Sequence, residues 1–289
     1  MAVYCPLEEV LRAQPTLEGA GVKLNRAFGY NQAPRFDPFL LLDDFGSHDP
    51  EDYLKGFPWH PHRGIETVTY MLSGEVEHGD SLGNEGIIRD GEVQWMTAGG
   101  GIIHQEMPQR YDGRFRGFQL WINLPRSDKM MVPRYRDITA GDIPAVDLAE
   151  GVLGRMVAGE VNGSLGPAPD LIVPVQYLVI QMEPGARYDH PVPAGYRGFA
   201  YLFEGTGTFS EASKEVVEDG QVVRFGKGDR VLMQAGEAGM RLLFAAGTPL
   251  NEPVAWGGPI VMNSRGELKT AFDEYKAGTF LKHKPRGVE

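Results

Sequence analysis

Hydrophobic residues along this chain fall in short runs rather than recurring every third or fourth position. Glu66-Thr67-Val68-Thr69-Tyr70-Met71-Leu72 and Gln176-Tyr177-Leu178-Val179-Ile180-Gln181 are representative. Both are rich in β-branched and aromatic side chains, and Gly, Pro or Asp bounds most such runs, which predicts the strands of sandwiches or barrels. The clearest helical signal lies near the end. There Ser264-Arg265-Gly266-Glu267 has the form of a capping box, and Leu268, Ala271, Phe272 and Tyr275 follow with the spacing of one buried helix face.

The pattern repeats within the chain. Thr69-Tyr70-Met71-Leu72-Ser73-Gly74 aligns with Ala200-Tyr201-Leu202-Phe203-Glu204-Gly205, and Asp90-Gly91-Glu92-Val93-Gln94-Trp95-Met96 aligns with Lys227-Gly228-Asp229-Arg230-Val231-Leu232-Met233. Two pieces in the same order predict a duplicated β domain. The expected division is 1–135 for one barrel and 136–289 for a second that carries the C-terminal helix and tail. The connection is expected in Val132 to Asp147, which contains Pro133, Gly141 and Pro144.

Composition supports this picture. The 289 residues include 38 Gly and 21 Pro, suited to many turns, and are long enough for two cores. A net charge of −11 argues against binding nucleic acid through bulk phosphate attraction. The lone Cys5 excludes an internal disulfide and fits a reducing compartment. No apolar run is long enough to cross a bilayer and the first residues do not read as a secretion signal, so a cytoplasmic location is expected. Asn162-Gly163-Ser164 is then a coincidental glycosylation pattern, and the basic run Lys282-His283-Lys284-Pro285-Arg286 a solvated terminus. The Trp95-Met96 pair reads as core.

Candidate chemistry concentrates in two triplets, His60-Pro61-His62 and His104-Gln105-Glu106. Residues i and i+2 of a strand share a face, so each triplet presents two metal-capable side chains in one direction. Two such strands facing across a barrel would set three imidazoles and one carboxylate around a point. That donor set suits Fe(II), and also Mn, Ni, Co, Cu or Zn, and would leave positions open for reactants. His48, His78, His190 and His283 are scattered singly. Gly99-Gly100-Gly101, ahead of His104, allows a sharp turn and close backbone approach, and fits no phosphate-binding pattern.

The spacing Gly56-x3-His60-x-His62-x3-Glu66-x7-Gly74 resembles the first cupin motif, and the stretch ending at His104 the second. More closely, HPHRGIETVTYMLSGEVEHGDSLG, GEVQWMTAGGGIIHQEMP and DPFLLLDDFG are similar to the pirin family. The resemblance covers most of the first half; the second half follows only by repeat pattern and length. It implies an all-β bicupin with one iron site in the N-terminal barrel, whose ligands would be His60, His62, His104 and Glu106. Some bacterial pirins are associated with opening the flavonol quercetin with dioxygen, and other members act as regulators that bind a protein partner. The expected function is therefore an iron-dependent flavonol dioxygenase in which Glu106 is both ligand and base. The alternative is a non-enzymatic, redox-sensitive iron protein with a protein partner. Many cupins use the carboxylate at the Glu66 position as a ligand; here Glu106 takes that part and Glu66 supports it. The usual proline of the second motif is also missing, its place taken by the triple glycine.

Carrying the repeat offsets across places Pro191, Pro193 and Arg197 opposite His60, His62 and Glu66, and Arg241 and Leu243 opposite His104 and Glu106. His190 falls one residue out of register, on the opposite strand face. The second barrel is thus expected to carry no metal.

Overall fold

A computed structural model of the chain describes residues 3–168 and 170–283. Part of the basic terminal run, from Lys284 onward, lies outside the described residues. The chain is predominantly β, and its contacts group into two units. One comprises residues 15–34, 39–140 and 250–289; the other comprises 1–14, 35–38 and 141–249. The chain passes from one unit to the other near residue 140, and both chain ends belong to the opposite unit from their sequence neighbours.

The first unit contains two large sheets and a two-stranded one, Ala255–Gly257 with Ile260–Met262. Seven strands run in the order Arg134–Ile138, Val93–Thr97, Ile65–Ser73, Phe115–Asn123, Phe39–Ser47, Val22–Phe28 and Gln14–Glu18. Four more run Phe57–His62, Ile102–Pro108, Val76–Asp80 and Glu85–Ile88. Met71, Phe45 and Phe115 of the larger sheet pack with Val76 and Ile88 of the smaller in one apolar cluster. Trp95 and Met96 are fully buried, as core residues should be. The helix Arg265–Lys276 also belongs to this unit. Ser264 Oγ accepts the Glu267 N–H at 3.2 Å, and the Glu267 carboxylate reaches back to Ser264 Oγ and to the Asn263 N–H. That is the reciprocal capping the sequence predicts. Ala271 is buried, whereas Tyr275 lies at the margin of the apolar face and sets its ring edge against Phe280.

The second unit is built on one continuous sheet. Its main path runs Leu7–Arg12, Gln221–Phe225, Arg197–Thr208, Arg230–Gly247, Val175–Met182, Val152–Ala158 and Ala145–Ala149. The long strand Arg230–Gly247 pairs near its start with Arg187–Pro191 and near its end with Val175–Met182. The first residues of the chain thus cover the Gln221–Phe225 edge, the place that Arg134–Ile138 takes beside Val93–Thr97 in the first unit. Covering an edge strand satisfies its free N–H and C=O groups, which accounts for the exchanged end.

The two seven-strand orders match element for element, and this corrects the register inferred from sequence. The equivalence of Thr69 with Ala200 holds: Val68 pairs with Trp95 as Phe199 pairs with Arg224. However, the counterpart of Val93–Thr97 is Gln221–Phe225, which follows its own Asp219-Gly220 turn, not the strand after Lys227. Pairing then fixes the rest. Beyond Gly74 and Gly205, Val76 opposes Pro108 as Gly207 opposes Ala235. On the other side of the same strand, His60 opposes His104 as His190 opposes Val231. The counterparts of His60, His62, His104 and Glu106 are therefore His190, Val192, Val231 and Met233, rather than Pro191, Pro193, Arg241 and Leu243. The slip at the first triplet arises because His62 to Glu66 spans four positions and Val192 to Arg197 five. All four counterparts are buried, and Val192, Val231 and Met233 join one apolar core.

His190 accordingly faces the interior, with its Nε2 3.2 Å from Gln176 Oε1 and its ring 4.2 Å from that of Phe244. Burial pushes its pKa down to about 3. Because the unfolded chain binds a proton near pH 6.5 and the folded one does not, this residue destabilises the fold as pH falls from about 6.5 to about 3. Each unit of acidification in that window should remove on the order of 1 kcal/mol through His190 alone. His190→Gln, which can still donate to Gln176, should flatten that part of a pH series of urea melts. An unchanged acid limb would refute the assignment.

Candidate metal centre

The strand Ile102–Pro108 alternates buried and half-buried side chains along its whole length, with His104 and Glu106 on the buried face. Its antiparallel pairing with Phe57–His62 sets His104 opposite His60 and Ile102 opposite His62. Directly opposed residues share a face, so three imidazoles converge. Ligand-capable atoms of His60, His62 and His104 all lie within 4.8 Å of one another.

Hydrogen bonds to their outer nitrogens decide which atoms face inward. His60 Nδ1 lies 2.9 Å from Pro58 O, and His62 Nδ1 lies 3.0 Å from Pro259 O. A carbonyl can only accept, so both Nδ1 atoms carry the proton and both Nε2 atoms carry lone pairs. Those two Nε2 atoms are 3.0 Å apart. Opposed lone pairs repel unless a proton or a metal cation lies between them. His104 Nδ1 is 3.1 Å from His78 Nε2, while its own Nε2 is buried with no hydrogen-bond partner among the described residues. Burial, then the neighbouring imidazoles, hold the pKa values of His62 and His104 well below the usual histidine range. Tautomer-fixed imidazoles with free lone pairs, two of them buried and held neutral, fit a transition-metal site.

The carboxylates play different parts. Glu106 is held by Thr69 Oγ1 at 2.9 Å and by Gln119 Nε2, which lies 3.1 Å from each carboxylate oxygen. It shares the strand face with His104 but does not belong to the tight three-imidazole group. Glu66 is fully buried and accepts from Thr97 Oγ1 at 2.6 Å and from Arg136 at 3.3 Å.

A cavity of about 530 Å³ opens onto His60 and His62. Tyr30, Phe57, Trp121 and Trp256 supply aromatic walls, and Gln119 joins the cavity to Glu106. Trp121 packs edge-on to His62 and tilts against Trp256. His78, Gln119, Trp256 and Pro259 are site residues that the sequence reading missed. His78 and Gln119 lie in ordinary strand patterns, and Pro259 comes from nearly two hundred residues further along.

That distant segment is anchored by buried cations. Lys129 Nζ donates to Gly64 O at 2.9 Å, Asn123 Oδ1 at 2.6 Å and Val261 O at 3.2 Å. Burial pushes its pKa down to about 7. Arg63, next to His62, binds Glu274 at 2.8 Å and the Phe280 carbonyl at 2.7 Å. Gly64 adopts φ +79°, and a Cβ there would stand 2.0 Å from Val261 O. Gly99 shows the expected close approach: at φ +48°, a Cβ would meet Met131 O at 2.2 Å.

Comparison with known proteins agrees with this architecture. The Pirin family model matches residues 21–122, and the model of the pirin C-terminal cupin domain matches 177–281. The chain belongs to the pirin family. A pirin-like protein of Caulobacter vibrioides is 41% identical over 276 residues, covering 95% of this chain and 99% of its own. A Pseudomonas aeruginosa relative that bears the provisional name of a quercetin 2,3-dioxygenase is 41% identical over 282 residues, covering 96% and 99%. The crystal structure of a quercetin 2,3-dioxygenase from Acinetobacter baumannii superposes with a TM-score of 0.89 at 32% identity, covering 96% of this chain and 98% of that one. Both barrels are thus cupin domains, as the motifs implied, and no helix among the described residues is long and apolar enough to cross a membrane.

Replacing Lys129 by Met should test the anchoring. The substitution leaves three buried acceptors without their shared donor and should cost about 3 kcal/mol. Urea denaturation measures this, and a loss under about 1 kcal/mol would show that Lys129 does not hold the return segment.

Proposed function

We propose that this pirin is an iron-dependent dioxygenase that opens the ring of a flavonol such as quercetin. The observation that carries the proposal is the convergence of three imidazoles, two buried and one half-buried, at an aromatic-walled cavity of about 530 Å³. That volume lies within the roughly 300–1,000 Å³ of ordinary small-molecule sites. The similarity to the A. baumannii quercetin 2,3-dioxygenase supports the choice of reaction.

His60, His62 and His104 are the proposed metal ligands, with Glu106 completing the set from the same strand face. Bound there, iron would supply Lewis acidity toward a substrate hydroxyl and a redox partner for dioxygen. The remaining work falls to the chain. Trp121, Trp256, Tyr30 and Phe57 offer flat apolar surfaces to a planar polyphenol and exclude water from its rings. Glu106, as a carboxylate with two oxygens, accepts the proton of the flavonol 3-hydroxyl. Gln119 orients Glu106 by donating to both of its oxygens.

Iron-loaded protein should bleach quercetin under air over many turnovers and not under nitrogen. His104→Ala should lower kcat/KM by more than about 100-fold, beyond the cost typical of an outer-shell change. Equal bleaching by wild type and variant would refute the proposal. So would an absence of turnover in fully loaded protein.

A further inference from the structure

His78 is a buried histidine with no part in the function proposed above. It stands on the strand Val76–Asp80, opposite Glu106 and diagonal to His104 on the neighbouring strand. Its Nε2 lies 3.1 Å from His104 Nδ1, and its Nδ1 is buried without a hydrogen-bond partner among the described residues. Tyr135 stacks on its ring, with centroids 4.8 Å apart and planes 29° from parallel. Tyr135 is itself seated against Gly86, the residue that pairs with His78 on its other side. A Cβ on Gly86 would stand 2.8 Å from the Tyr135 hydroxyl oxygen. This stack holds His78 in one orientation, with a nitrogen aimed at a ligand histidine.

We propose that His78 is a positioning residue of the metal centre: it accepts the Nδ1–H of His104, and so fixes the tautomer and ring plane that present His104 Nε2 to the metal. The inference rests on reading His60, His62 and His104 as ligands. It follows from the inventory of donors. His60 and His62 already give their outer protons to backbone carbonyls. Among the described residues His104 has no carbonyl in that role, and His78 Nε2 is the acceptor within hydrogen-bond distance of its Nδ1. Outer partners of this kind orient metal-binding histidines, and losing one typically costs about 10–100-fold in metal affinity.

Zinc is a suitable probe, being diamagnetic and redox-silent. Affinity for Zn(II) would be measured by competition with a chromophoric chelator, in wild type, His78→Leu and His78→Gln. The Leu variant removes the acceptor and should bind about 10–100-fold more weakly. The Gln variant keeps an acceptor oxygen and should recover most of the loss. Unchanged affinity in a folded Leu variant would overturn the inference, as would equal losses in both variants.

A second measurement needs no substitution and stays decisive if the Leu variant does not fold. In zinc-loaded wild type, ¹⁵N labelling should reveal a coupling between His104 Nδ1 and His78 Nε2 across the shared proton. Its absence, with His104 bound to zinc, would overturn the inference. If wild type binds no zinc, the reading of the metal centre itself fails, a result separable from both of these.

Discussion

Two imidazole nitrogens held 3.0 Å apart with their lone pairs opposed are the constraint around which the first unit is organised. The arrangement is enforced from behind, because Pro58 O and Pro259 O can only accept and so keep each Nδ1 protonated. It persists because the elements carrying those carbonyls are fixed. Lys129 ties Gly64 to Val261, and Arg63 clamps the C-terminal segment next to His62. Without the returning segment, His62 would lose its acceptor. The C-terminal stretch therefore belongs to the site as much as the two histidine triplets do.

Such a site weakens the core that surrounds it. Imidazoles and carboxylates occupy positions that apolar side chains would fill, and buried polar groups cost stability wherever a partner is missing. The apolar packing of the first unit is accordingly divided among separate clusters. In the second unit the counterpart positions fall within one continuous core, in which Val231 and Met233 join Phe225 and Phe244. One strand order thus serves a polar interior in one unit and an apolar interior in the other. Side-chain identity at alternate positions of two strands makes the difference.

Much of this was legible in sequence because it depends on local rules. The period-2 placement of His60 with His62, and of His104 with Glu106, follows from strand geometry alone. The Ser264–Glu267 cap follows from the first turn of a helix. What was not legible depends on long-range pairing. Nothing near His62 signals that its partner is Pro259, and nothing near Gly64 signals Val261. His78 looked like one of several isolated histidines because its significance lies in a diagonal relation to His104 that only the strand register creates. The exchanged chain ends were hidden for the same reason, since edge pairing between Leu7–Arg12 and Gln221–Phe225 leaves no local mark.

The misplaced repeat shows the limit most sharply. Asp219-Gly220 and Gly228-Asp229 are both acid–glycine turns that lead into a strand, nine residues apart. Turn chemistry cannot choose between them. Backbone pairing can, because Val68 opposite Trp95 and Phe199 opposite Arg224 admit a single alignment of the two sheets. In that alignment His190 ceases to be an outward-facing stray and becomes the histidine that stands where His60 stands. Its neighbours explain its different chemistry. His60 has imidazoles at hydrogen-bond and ring-contact distance, whereas His190 has Gln176, Tyr188 and Phe244. With valine and methionine at the other three counterpart positions, a single imidazole has no second nitrogen with which to share a cation, so the same fold position becomes a hydrogen-bonded core residue.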